Sequence, residues 1–189
     1  MCDLTDYLEA NPRSKKLRAF TETEIQEMRD SKVPDEIIDF LNAEGLSNYK
    51  NNFYETTLPQ WQTETLNFWG LKGKQCFAFL KTAFGGIFYF HKEKIYRLNP
   101  FTGNTVRSDF DFCNYLNVLM TIDEIANSCY YDIYEKNNSG EQLKPDEIYG
   151  LFPALQMGGS FETSKYEVVK MHEHLGFLAQ LFDNKVKKI

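Results

Sequence analysis

The densest run of ligating and proton-transferring side chains in the sequence is His172-Glu173-His174. Two imidazoles beside a carboxylate could hold a zinc ion or relay protons if they converged on one point. In a helix each residue turns by about 100°, which sends the two histidines to opposite flanks of the apolar stripe they accompany. Helical metal pairs use i and i+4 spacing, and no two histidines here are so spaced. Both are expected to be structural, with no bound metal and no cofactor. His91 falls apart from them, at a hairpin end.

Other chemistry also lacks a pattern. Gly85-Gly86 and Gly158-Gly159 could let a ligand approach the backbone, but neither belongs to a phosphate-binding glycine motif, and turn geometry accounts for both. No serine lies in a Gly-x-Ser-x-Gly elbow and no cysteine in a thiol-enzyme signature. Cys2, Cys76, Cys113 and Cys129 are far apart, without a Cys-x-x-Cys, and are expected as buried thiols. The acidic side chains are interspersed with polar residues, so nothing perturbs them toward acid–base work. Composition and spacing favour a binding protein over an enzyme.

Charge is distributed in blocks. The 189 residues carry 21 Lys and Arg against 27 Asp and Glu, a net charge of -6. Residues 21–46 hold eight carboxylates against Arg29 and Lys32, residues 47–108 are basic, and residues 109–147 hold nine carboxylates against Lys136 and Lys144. An acidic chain without a basic cluster does not suit direct nucleic-acid binding, which depends on neutralising phosphates. Aromatic residues make up 15% of the chain, which excludes intrinsic disorder. The longest apolar runs, such as Cys76 to Leu80, are far short of the about 20 residues that span a bilayer. The acidic, polar start is unlike a secretory signal, so the protein is expected in the cytoplasm and away from membranes.

These residues need elements to position them. Thr21 with Glu24 reads as a capping box before Ile25 and Met28. Pro34 opens a second helix with the stripe Ile37, Ile38 and Leu41, which Gly45 stops. Gln75 to Lys81, Gly86 to His91 and Lys94 to Leu98 read as an antiparallel meander, followed by a turn over Asn99 to Gly103. Ser108 is the expected cap of the next helix. Thr121 with Glu124 opens another, placing Ile122, Ile125, Ala126, Cys129 and Ile133 on one face up to the turn Asn137 to Gly140. After an extended stretch from Ile148 to Leu155, a last helix is expected over 165–182 through Val168, Met171, Leu175, Leu178 and Phe182. The fold class is α+β: a central antiparallel sheet flanked by helices, with an N-terminal helical segment.

Four segments carry a resemblance: Thr82 to Gly85, Tyr96 to Gly103, Glu147 to Gly159, and Val169 to Leu175 continuing through Leu178 to Leu181. Together they resemble the C-terminal domain of type VI secretion immunity proteins, and Val33 to Phe40 with Gly45-Leu46 resembles the GAD-like domain that often precedes it. The division that follows is an N-terminal extension over 1–20, a GAD-like part over 21–74, an immunity domain over 75–183 and a basic tail over 184–189.

The resemblance implies a non-enzymatic antitoxin that binds and inhibits a cognate type VI secreted toxin, a DNase, and so protects the producing bacterium. Its motif residues would be scaffold. An acidic protein suits this role because it competes for a surface shaped to hold phosphates. Glu24, Glu27, Asp30, Asp35, Glu36 and Asp39 are the expected toxin contacts, with the block Asp109 to Glu147 as the rival footprint. The alternative is a small-ligand-binding protein or enzyme using the aromatic sheet face and the Gly158-Gly159 turn.

Overall fold

The computed structural model describes residues 3–71, 76–137 and 142–188. Cys2, Gln75 and the turn Asn138 to Gly140 lie outside the described residues. Helix α1 (Thr5–Ala10) and strand β1 (Arg13–Arg18) precede α2 (Glu22–Asp30). The capping box at α2 forms as expected: the Glu24 amide donates to Thr21 Oγ1 at 3.2 Å and the Thr21 amide to Glu24 Oε2 at 2.8 Å. In α3 (Asp35–Glu44), Pro34 is the residue just before the helix, and Gly45 ends it at φ 64°. A side chain at Gly45 would collide with the Arg18 carbonyl, so both the conformation and the β1 contact require glycine.

Strands β2 (Leu46–Tyr49) and β3 (Tyr54–Thr56) pair with β1 on one side and β4 (Cys76–Thr82) on the other. Helix α4 (Pro59–Phe68) joins β3 to β4, with Pro59 in its first turn. β5 (Ile87–His91), β6 (Lys94–Asn99) and β7 (Asn104–Ser108) complete the meander. The β5–β6 hairpin turns on Lys92 and Glu93, both at positive φ, which matches the twist of the strands it joins. Strand order is β1-β2-β3-β4-β5-β6-β7, antiparallel throughout, and a short β10 (Lys187–Lys188) runs parallel to β7.

Helices α5 (Phe112–Asn117), α6 (Asp123–Asn127) and α7 (Tyr131–Asn137) follow the sheet. Three expectations are corrected here. The cap of α5 is Asp111, whose side chain accepts from the Asn114 amide at 2.8 Å, and not Ser108. Thr121 forms no capping box, because its hydroxyl donates to the Val118 carbonyl at 2.7 Å and α6 starts after Ile122. The continuous stripe from Ile122 to Ile133 is broken at Tyr130, which adopts φ 71° between α6 and α7, and Ile122, extended just before α6, is exposed.

The largest correction concerns the C-terminal helix. Residues 165–170 form β9 (Lys165–Lys170), paired antiparallel with β8 (Glu147–Phe152), and only α8 (Met171–Gln180) is helical. Met171, Leu175 and Leu178 are buried as a helical stripe should be, whereas Val168 sits on the strand, 41% exposed. Pairing with β8 overrides a spacing that happens to continue the helical period.

The sheet separates two apolar clusters. On one side Ile37, Ile38, Phe40 and Leu41 of α3 join Phe112, Tyr115 and Leu116 of α5, Ala126 of α6 and Tyr134 of α7 against Phe77, Phe79, Phe88 and Ile95. On the other, Leu66 and Trp69 from around α4 and Leu175 and Leu178 of α8 cover Ala78, Ile87, Tyr89 and Leu98. Cys76 and Cys129 are free thiols, but Cys113 is held in a disulfide, correcting the expectation of a buried thiol. It is half-buried on α5.

Candidate functional site

The amphipathic pattern of α2 and α3 turns Ile25, Met28, Ile37, Ile38 and Leu41 inward and leaves their carboxylates outward. Glu27, Asp30, Asp35, Glu36 and Asp39 are exposed. Glu24 is engaged within the chain: the Arg18 guanidinium grips both its oxygens, at 2.7 and 2.8 Å, while Thr21 donates to it. That fork, with the Thr21 bonds, holds the Glu24 carboxyl down to about 2. Asp30 accepts from Gln26 at 2.8 Å, and Glu27 accepts from Gln60 of α4 at 3.3 Å.

The two acidic blocks, separated in sequence by a basic stretch, share one helical layer. Phe112 of α5 packs against Phe40 of α3, with ring centroids 5.6 Å apart, and against Phe79 of the sheet at 5.1 Å. An open cleft of about 980 Å³ runs between the turn after β2 and helices α6 and α7. Asp123, Asp132 and Glu135 line it opposite Arg13 and Lys50. Lys50 pairs with Asp123 at 3.0 Å and lies over the Tyr131 ring. Lys50, Asn51 and Asn52 all adopt positive φ, and the Tyr134 hydroxyl fastens this turn by donating to the Asn51 carbonyl at 2.7 Å.

The expected structural residues are placed by packing. His172 and His174 diverge on α8. His172 lies against Phe68 and pairs with Glu64 at 3.4 Å, whereas His174 is buried between Phe152 and Phe177 over Gly150. Burial pushes the His174 pKa below its ordinary value. Gly158 turns at φ 86°, and a side chain at Gly159 would strike the Pro153 carbonyl and the Ser164 hydroxyl, so this turn is closed on its own chain. Phe77, Phe79, Phe88 and Tyr89 are all buried, leaving the sheet's aromatic faces covered rather than open to a small ligand. Among the described residues, no three His, Cys, Asp or Glu side chains cluster closely enough to hold a metal, and no helix is long and apolar enough to cross a membrane.

Sequence reading missed α4 and what it does at the surface. Trp61, Gln62 and Thr65 of α4 border a groove with Asp146, Lys170, His172 and Glu173. Pro59 was the available signal, since proline favours a first helical turn.

Residues 110–182 match the family model of the T6SS immunity protein Tdi1, C-terminal. Over that stretch, somewhat more than a third of its length, the chain is similar to the C-terminal part of a type VI secretion immunity protein. The match holds the second acidic block almost entirely, and β8, β9 and α8 with it. Of the segments that carried the resemblance, Thr82 to Gly85 and Tyr96 to Gly103 lie before the match, as does the stretch read as GAD-like. Among solved structures, the chain is similar to the crystal structure of Atu4351 from Agrobacterium tumefaciens. The TM-score is 0.71 at 16% identity, covering 94% of this chain and 89% of that one. At that identity the likeness is one of fold. No curated protein matches the sequence.

Proposed function

We propose that this protein is a cytoplasmic, non-enzymatic immunity protein that binds and inhibits a DNase toxin delivered by a type VI secretion system, protecting the cell that makes it. The observation that carries the reading is the family match over residues 110–182. Charge supports the nuclease part of it. Exposed carboxylates on α2, α3 and the α5–α7 region present an acidic helical layer to a protein whose own substrate is a polyanion. Glu27, Asp30, Asp35, Glu36 and Asp39 are the proposed contacts, with Glu24 beside them fixing the start of α2. Residues 21–74 are read as a GAD-like part and 75–183 as the immunity domain.

The test is co-expression with the toxin encoded beside this gene. Cells carrying both should grow with intact chromosomal DNA, and cells carrying the toxin alone should degrade it. Growth arrest with intact DNA in the toxin-only cells, relieved by this protein, would retain the immunity role and remove the DNase. Unrelieved killing would remove both.

A further inference from the structure

Between α4 and the β9–α8 junction lies a groove of about 340 Å³ whose lining includes Trp61, Gln62, Thr65, Asp146, Lys170 and Glu173, with His172 beside them. It gathers the two exposed residues of the His172-Glu173-His174 run: His172, which also lies against Phe68, and Glu173, while His174 is buried. It also joins the two acidic blocks on this side of the molecule. Glu27 of the first accepts from Gln60, the neighbour of Trp61, and Asp146 belongs to the second. The junction is held in place by the Met171 amide, which donates to the Asp146 carbonyl at 2.8 Å.

We infer that this groove is a receptor for an arginine side chain presented by the toxin. Three features suit a guanidinium. Gln62 is 4% exposed, and among the described residues its Oε1 has no hydrogen-bond partner, while its Nε2 donates to Thr57 at 3.1 Å. A buried acceptor without a donor is costly, and a planar cation with five N–H groups supplies several at once. The charges lining the groove are Asp146 and Glu173 against Lys170, an excess of one carboxylate, with Glu147 and Glu64 nearby paired to Lys144 and His172. Both lysines are already drawn to these acids, Lys170 to Asp146 at 2.5 Å and Lys144 to Glu147 at 3.4 Å. Trp61, 40% exposed, offers the ring type that cations prefer, and Arg18 lies 5.7 Å from its centroid. The partial positive charge at the start of α8 would attract an anion, but Glu173 in its first turn opposes that.

This inference rests on the immunity reading. The groove is probed by NMR on the full chain with N-acetyl-arginine amide, N-acetyl-alanine amide and inorganic phosphate. The arginine amide should give saturable shifts of the Trp61 indole and Gln62 side-chain amide signals, with neither of the others doing so. Asp146→Asn/Glu173→Gln, both at exposed positions, should melt like wild type, lose those shifts and bind the toxin at least tenfold more weakly. Phosphate shifts in place of arginine shifts, or no saturable shift, would overturn the proposal. Toxin binding unchanged in the double variant would overturn the groove while leaving the immunity reading intact, and failure of wild type to bind the toxin would overturn that reading itself.

Discussion

Phe40 of α3 meets Phe112 of α5 edge to face, with centroids 5.6 Å apart and planes at 65°, and this contact fastens the first acidic helix pair to the second. Both rings are buried. Phe112→Ala should cost about 3–5 kcal/mol, the range for an aromatic side chain lost from a core. In a double-mutant cycle with Phe40→Ala, measured by urea denaturation, the coupling should be about 0.5–1.5 kcal/mol. Strict additivity would mean the two helical blocks are stabilised independently.

Leu175 anchors α8 and is fully buried, so Leu175→Ala should cost about 2–5 kcal/mol. A loss below about 1 kcal/mol would place it at the surface. Gly85 adopts φ 78°, and a Cβ there would come within 2.8 Å of Ile148 Cδ1 and 3.0 Å of Leu175 Cδ2. Gly85→Ala should therefore destabilise by about 1–3 kcal/mol. Removing Leu175 relieves part of that clash, so the double variant should lose less than the two singles combined.

The Arg18–Glu24 fork gives a dependence on acid. Because the folded Glu24 carboxyl is held at about 2, below its ordinary 4.5, its contribution is complete above the unfolded value and is lost as pH falls toward 2. Glu24→Gln should cost up to about 1 kcal/mol at neutral pH, mostly the lost charge in the Arg18 fork, since glutamine can still accept from the Thr21 amide. Stability curves of variant and wild type should converge as pH drops below about 4. A constant gap down to pH 2 would assign the effect to something other than this carboxylate's charge.

Asp35, Glu36 and Asp39 lie on the exposed face of α3. If they steer a basic toxin surface, replacing all three by Lys should slow association and flatten its dependence on ionic strength, with a modest drop in melting temperature because Asp35 and Glu36 occupy the first turn of α3. Stopped-flow rates across a salt series measure this. A folded triple variant with unchanged rates would move the footprint to the surface between Asp109 and Glu147.

The parts legible in the sequence were those whose signals are local. The capping box of Thr21 and Glu24, the Gly45 stop, the β4–β6 meander and the divergence of His172 from His174 each follow from residues close together in the chain. The strand nature of Lys165 to Lys170 was hidden because Val168 continues the helical spacing of Met171 and Leu175, and only its partner β8 decides between the two. Strand β1 was equally hidden: Arg13 to Arg18 has one apolar residue, and it is a strand because β2 pairs with it at the sheet edge. Gln62 and Asp146 are 84 positions apart, so no sequence window could show the groove they share.

The central proposal is inhibition of a DNase toxin by binding, and titration of that proposed activity with the purified full chain tests it most directly. Supercoiled plasmid is the substrate, and the neighbouring gene's toxin is the enzyme. Activity should fall in proportion to added protein and vanish once all of the toxin is bound, with the plasmid left supercoiled. Plasmid cleavage that persists undiminished at a large molar excess of this protein would contradict the account.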